Sequence, residues 1–237
     1  MDKKPLVSVI IPTYKDHEGL NKALKSVVNQ TYENLEIIVV NDYPEEDIEN
    51  YIEIEDDRIK TIDVEYNRGG AGEGARNIGI ENSNGKYLTF LDGDDELKPD
   101  TIEKQINKLK EKQGKDSEYK AVTVWGEARD PNGKKRTIKY PEKEGNIFKE
   151  TLTHNNIVPP GPLLEKKILE ETGKYDEDVR IGDWDLCIRI AKKYKIAVVK
   201  EPLYIYYPKT AEEMQGIYSW RYKSHKKMLE KYWEDIK

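Results

Sequence analysis

The stretch KYLTFLDGDDEL (Lys86–Leu97) decides the reading of this chain. Tyr87 to Leu91 form a short apolar run with aromatic and β-branched side chains, the composition of a buried strand. It ends abruptly in Asp92, Gly93, Asp94, Asp95 and Glu96. Carboxylates packed this closely repel one another and favour water, so the cluster calls for a solvated turn or a cation. A buried strand that stops in polar residues is also the unit of an open α/β sheet, in which ligands sit at the carboxyl ends of the strands.

Three more stretches have the same form. LVSVIIPTY (Leu6–Tyr14) and LEIIVVND (Leu35–Asp42) read as buried strands with polar ends, and RIKTIDVEY (Arg58–Tyr66) as a third. Helical spacing lies between them. Leu20, Ala23, Leu24, Val27 and Val28 fall on one face, and further helices are expected around Glu45 to Ile52 and Ala75 to Asn82. Pro99 and Asp100 then open a helix carrying Ile102, Ile106 and Leu109. Alternating strands and helices predict an α/β fold: an open, mostly parallel, Rossmann-like sheet flanked by helices on both faces. Thr13, Asp42, Asn67 and the Asp92 group should converge on one sheet edge.

The second half is less regular. YKAVTVWGEAR and RTIKY read as strands around the turn DPNGKK, WDLCIRIAKKY (Trp184–Tyr194) as a helix, and KIAVVKEPLYIYY as a late strand. No repeat, linker or composition break interrupts the chain. One domain over residues 1–237 is expected, with halves at 1–115 and 116–217 and a C-terminal amphipathic helix over 218–237.

Composition bounds the function. Among 237 residues, 36% are charged and 36% hydrophobic, with a formal net charge of -6, which argues against a nucleic-acid partner. A single Cys187 excludes an intramolecular disulfide, and with His17, His154 and His225 scattered there is no zinc-ligand spacing. No apolar run approaches the roughly 20 residues needed to span a bilayer. MDKKPLVSVIIPTY is only a weak signal-peptide match, since Pro12 and Tyr14 interrupt it and no small-residue cleavage site follows. A cytoplasmic protein is expected.

Three motifs carry chemistry. Asp92 and Asp94 form a D-x-D pair, and strand alternation would point both the same way if strand geometry continued that far. Such a pair suits Mg²⁺ or Mn²⁺, and a solvated acidic turn is the alternative; no glutamate closes a twelve-residue EF-hand loop. NRGGAGEGARNIGI (Asn67–Ile80) contains Gly70-x-Gly72-x-x-Ala75, a loose dinucleotide fingerprint, but it does not follow the first strand, so NAD is rejected. Its Arg68 and Arg76 could approach a diphosphate, or the stretch could be a plain glycine-rich connection. In RIGDWDLCIRIAKK, Asp183 stands in the first turn of a helix, where it is a cap or a functional acid. Trp184 beside it is a core anchor or a site wall.

The order of these motifs resembles glycosyltransferase family 2. VSVIIPTYKDHEGLNKALKSVVNQTYENLEIIVVND, NRGGAGEGARNIGI, GKYLTFLDGDDEL and GKYDEDVRIGDWDLCIRI follow one another as they do in that family, and the resemblance runs to about Tyr207. It implies the GT-A fold, with a nucleotide-sugar-binding first half and a smaller acceptor-side half. It further implies that Pro12, Tyr14 and Asp42 hold the nucleoside, Asp42 at the base, and that Asn67 and Arg76 lie along the nucleotide. Asp92, Gly93 and Asp94 would meet the donor, with Asp92 and Asp94 binding Mn²⁺ or Mg²⁺ at its diphosphate. Asp183 would be the catalytic base, and Trp184 would line the acceptor side. The implied reaction is inverting transfer from a nucleotide-diphosphate sugar, a UDP-sugar first, to a hydroxyl of a glycan or lipid-linked acceptor.

The chain departs from the family pattern in places. The acid pair before the late helix is Gly182-Asp183, the second strand ends in Asn41-Asp42, and the region beyond the late strand offers Lys209 and Thr210. In the C-terminal helix, Tyr218, Tyr222, Leu229, Trp233 and Ile236 approach one stripe, with Arg221, Lys223, Lys226 and Lys227 elsewhere. This makes it a candidate for peripheral contact with the inner membrane face, against plain packing on the domain. Two other functions compete. A sugar-phosphate nucleotidyltransferase would need a glycine-rich basic loop after the first strand, where PTYKDHEG stands; a non-catalytic nucleotide-sugar binder would not need Asp183.

Overall fold

The computed structural model describes residues 4–68, 71–130, 132–153, 155, 157, 162–208 and 217–237, the stretch 217–221 by its backbone alone. Gly70, Lys209 and Thr210, and the side chains of Tyr218 and Arg221, lie outside the described residues.

Strands β1 (Val7–Thr13), β2 (Leu35–Asn41), β3 (Ile59–Asp63) and β4 (Tyr87–Phe90) run parallel in the order β3-β2-β1-β4. The register sets Thr13 opposite Asn41 and Asn41 opposite Asp63, so three strands end level at one edge. Both faces of β1 are buried. Val7, Val9 and Ile11 pack beneath helices α1 (His17–Val28) and α3 (Thr101–Gln113), while Ile10 meets the helix between them in sequence, α2 (Glu73–Glu81). Continuous β-branched sequence is therefore what this strand requires. Asp16 caps α1 by accepting from the Gly19 N–H at 2.9 Å. Gly79 lets α2 settle onto β1, since a Cβ there would stand 2.4 Å from Ile10 Cγ2.

The helix expected at 45–52 is only a 3₁₀ turn, Ile48–Tyr51. Ile48 is its one buried residue, and a short segment without an apolar stripe has nothing to offset helix nucleation. Asn41 organises the loop instead, donating through Nδ2 to the carbonyls of Tyr43 at 2.9 Å and Glu46 at 2.8 Å.

The sheet continues through β5 (Glu96–Leu97), β6 (Tyr119–Arg129), β7 (Lys135–Ile138), β8 (Leu163–Glu165) and β9 (Lys195–Tyr206). Its order is β3-β2-β1-β4-β8-β6-β9-β5, with β7 against β6. The first four strands are parallel, and the second half is mixed: β8 is antiparallel to both β4 and β6, and β9 is parallel to β6. Helices α4 (Phe148–Thr153), α5 (Leu169–Thr172) and α6 (Gly182–Lys193) follow, and Leu186 and Ile190 of α6 join Ile10, Leu88 and Phe90 in the second core.

The chain ends in α7 (Ile217–Lys231) and α8 (Trp233–Ile236). Ser224, Met228 and Tyr232 face inward, and Tyr232 Oη donates to Asp185 Oδ1 at 2.8 Å. Tyr222, Leu229, Trp233 and Ile236 are exposed, so the apolar stripe read from the sequence points outward and a different face docks. Among the described residues, no helix is long and apolar enough to cross a membrane.

Candidate active site

The level ends of β1 and β2 build one wall. The Asp42 N–H donates to the Thr13 carbonyl at 2.9 Å, and Asn67 Nδ2 donates to the Asp42 carbonyl at 2.9 Å. The buried Asp42 carboxylate accepts from the Arg68 N–H at 3.0 Å. Burial pushes its pKa up, opposed by the Arg68 N–H and charge and assisted by Glu177. Beside it, half-exposed Tyr14 meets Tyr43 edge-on at 5.5 Å, and the Lys15 ammonium lies 3.9 Å over the Tyr43 ring. Lys15 adopts φ 60, a conformation that costs a non-glycine residue about 1 kcal/mol. This aromatic shelf beside a buried carboxylate can stack a planar heterocycle and accept from its ring N–H.

The acidic turn forms the floor. β4 stops at Phe90, so a turn, and not strand alternation, groups the carboxylates. Asp92, Asp94 and Asp95 each bring a carboxylate oxygen within 4.8 Å of the others. A Cβ on Gly93 would stand 3.0 Å from the Pro12 carbonyl oxygen, so the glycine permits the turn's close approach to β1. Asp95 turns inward, accepting from Tyr204 Oη at 2.6 Å and the Tyr207 N–H at 2.9 Å. Burial, then the charges of Asp92 and Asp94, raise its pKa well above the usual carboxylate range.

Arg76 is buried, with its guanidinium between the acidic turn and the end of the glycine-rich loop. Its Nη2 donates to Asp92 Oδ1 and its Nη1 to the Ala71 carbonyl at 2.8 Å. Burial opposes its charge, but Asp92, with Tyr175, Glu73 and Asp183, outweighs this and holds its pKa up. A carboxylate has two oxygens, so Asp92 can serve Arg76 and an ion together. With Asp94 it offers the hard oxygen donors that Mg²⁺ and Mn²⁺ prefer.

Asp183 lies within electrostatic reach of Asp92 in this turn. Ile181 is the N-cap of α6 and its own side chain makes no capping bond, so Asp183 stands in the first turn and not at the cap position. Asn155 Nδ2 donates to Asp183 Oδ2 at 3.2 Å. Burial raises the Asp183 pKa; the Trp184 N–H and Arg76 act against this, while Asp92 and Glu73 reinforce it. These charges therefore form one electrostatic unit. Trp184 is anchored sideways, its Nε1 donating to the Thr151 carbonyl at 2.6 Å and its ring edge-on to His225 at 5.7 Å.

Sequence reasoning missed Glu73, Asn77 and Tyr175. Asn77 Nδ2 donates to the Tyr175 carbonyl at 3.0 Å and its Oδ1 accepts from the Tyr175 N–H at 2.9 Å. A faint signal existed: acid and amide four residues apart, amid glycines, on a helix face.

The fold is the GT-A architecture of glycosyltransferases. Residues 8–173 match the model of Glycosyl transferase family 2, and the chain belongs to that family. It is 36% identical over 218 residues to an uncharacterized glycosyltransferase of Methanocaldococcus jannaschii, covering 86% of this chain and 71% of that one. Two solved structures share the fold. The S. aureus TarS 1-349 complex with UDP-GlcNAc superposes with a TM-score of 0.66 at 17% identity, covering 88% of this chain and 60% of that one. A mannosyltransferase from Pyrobaculum calidifontis, in complex with GDP-Man and Mn²⁺, gives 0.65 at 21%, covering 89% and 59%. The chain thus spans less than two thirds of either solved relative.

Proposed function

We propose that this chain is an inverting, metal-dependent glycosyltransferase that moves a sugar from a nucleotide-diphosphate sugar, a UDP-sugar, to a hydroxyl of a glycan or lipid-linked acceptor. The observation that carries this reading is Asp183, an acid in the first turn of α6 coupled in charge to the same Arg76 that grips Asp92. The shelf of Tyr14, Lys15 and Tyr43 would stack the base, with Asp42 accepting its N–H and Pro12 and Asn67 shaping the pocket. Asp94, Asp92 and the intervening Gly93 would sit at the donor diphosphate. Bound Mn²⁺ or Mg²⁺ held by the two aspartates would supply positive charge to the leaving group.

Asp183 takes the proton of the acceptor hydroxyl as its oxygen attacks the anomeric carbon from the face opposite the diphosphate. One carbon–oxygen bond forms while the other breaks, the nucleoside diphosphate leaves with the electron pair, and the configuration inverts. Trp184 would border the acceptor. Exposed Tyr222, Leu229, Trp233 and Ile236, flanked by Lys223 and Lys226, support peripheral contact with an anionic leaflet. Co-sedimentation with anionic vesicles should fall for Trp233→Ser with Leu229→Ser; equal binding rejects that contact.

The decisive assay pairs donor turnover with nucleotide binding. Asp183→Asn should lower kcat by about 10²–10⁴-fold while UDP with Mn²⁺ still raises the melting temperature. A wild type that binds UDP-sugars but neither hydrolyses nor transfers them would be a non-catalytic binder.

A further inference from the structure

One buried carboxyl joins two segments far apart in the chain. Glu73, 2% exposed, opens α2. Its Oε2 accepts from the Ala71 N–H at 2.6 Å, in the glycine-rich loop. Its Oε1 accepts from the Gly182 N–H at 3.2 Å, directly before Asp183 and 109 residues on in sequence. The Gly182 N–H opens α6, a position whose amide has no partner within the helix and where the helix dipole favours an acid.

Gly182 makes room for this contact. Its φ is not positive, so the backbone does not call for glycine. A Cβ there, however, would stand 2.6 Å from Glu73 Cγ and 3.2 Å from Tyr175 Cδ1. Glycine at 182 and glutamate at 73 are complementary halves of one contact. The same helix adds a second tie through Asn77 to Tyr175, while Arg76 reaches Asp92. α2 thus holds the loop, the acidic turn and the approach to Asp183.

From this geometry we infer that Glu73 is a positioning residue: it fastens the glycine-rich loop to the first turn of α6, so that seating a nucleotide diphosphate and placing Asp183 are one event. The inference rests on Asp183 being the base of the proposed transfer. Glu73 touches no reacting atom; it acts through the Gly182 backbone. A displacement of about 1 Å at a reacting group is enough to lower a rate about 100-fold.

The test compares Glu73→Gln, Glu73→Ala, Gly182→Ala and the double variant Glu73→Ala/Gly182→Ala in the full chain. Glu73→Gln keeps the volume but turns an amide N–H toward one of the two donors. Its kcat should fall about 10- to 100-fold with UDP–Mn²⁺ affinity changed much less. Hydrogen exchange gives a readout independent of turnover. UDP with Mn²⁺ should slow exchange of the amides at 181–185 in the wild type and fail to do so in Glu73→Ala. The double variant should lose no more than the worse single, because both act on the same contact. Should Glu73→Gln not fold, Glu73→Asp, too short to serve both donors, replaces it. Unchanged kcat in a folded Glu73 variant, additive losses, or nucleotide-dependent protection that persists in Glu73→Ala would each overturn the inference. If the wild type turns over no donor, the transfer reading falls by itself. Exchange at Ala71 and Gly182 without nucleotide then judges the tie, and equal rates in wild type and Glu73→Ala reject it.

Discussion

Asp183 occupies a place where negative charge is disfavoured, and that has measurable consequences. Its pKa is raised chiefly by burial. The proposed base must be ionised, so kcat should climb with pH through this raised value, and Asp183→Asn should remove that limb. The sign for stability is the reverse. A folded pKa above the unfolded one contributes stability below the unfolded value, near 3.8, and that contribution is lost as pH rises through the folded value. At pH 7 the ionised acid is therefore a burden. Asp183→Asn should melt higher than wild type at neutral pH, by about 0.5–2 kcal/mol in stability, while losing activity. Asp42, Asp92, Asp94 and Asp183 were legible because each is an acid at the end of a strand or the start of a helix. Glu73 was not, since it acquires meaning only from a partner 109 residues away. Glycine at 182, a bare departure from the family pattern in the sequence, leaves the space that the Glu73 side chain enters.

Among elements, β1, β2 and β4 were plain because both of their faces are buried and apolar side chains dominate their sequences. β5 and β8 are two and three residues long, too short to carry any period. The failed helix at 45–52 had only Ile48 to bury. At the sheet end opposite the site, Glu36 ties neighbouring strands and the turn before β4. It accepts from Ser8 Oγ at 2.7 Å, the Gly85 N–H at 3.1 Å and Lys60 Nζ at 2.9 Å. Burial works against this carboxylate, but the Ser8, Asn84 and Lys60 hydrogen bonds prevail and lower its pKa to about 2. Its contribution is present above the unfolded value of 4.5 and fades as pH falls toward 2. Glu36→Ala strips the buried Ser8 hydroxyl and the Asn84 N–H of their charged acceptor, so urea melts at pH 7 should record a loss of about 2–4 kcal/mol. The deficit should shrink in acid.

Across the whole molecule, β8 stitches the parallel half to the mixed half, and the candidate site lies where strand ends of the first meet α6 of the second. Sequence exposed the first half and left the seam hidden, because a three-residue strand and the buried Asn77–Tyr175 pairing carry no pattern. A nucleotide diphosphate bound with its metal at that seam should stabilise the fold by mass action, about 2.7 kcal/mol at 100 times Kd. UDP with Mn²⁺ should therefore raise the melting temperature, and EDTA or Asp94→Asn should cancel most of the rise. No such rise for any of UDP, GDP or dTDP would remove the donor site.

The acidic turn is braced on two sides, by Arg76 from α2 and by the Tyr204 hydroxyl of β9 with the Tyr207 amide just past that strand. A cradle fastened at both rims has little freedom to widen. It should thus discriminate by ionic radius, accepting ions with metal–oxygen bonds of about 2.0–2.1 Å and paying a strain penalty for Ca²⁺ at about 2.3–2.6 Å. Calcium offered in place of manganese should give a distinctly smaller thermal shift, a selectivity that originates in two tyrosines more than one hundred residues downstream of Asp95, the aspartate they restrain.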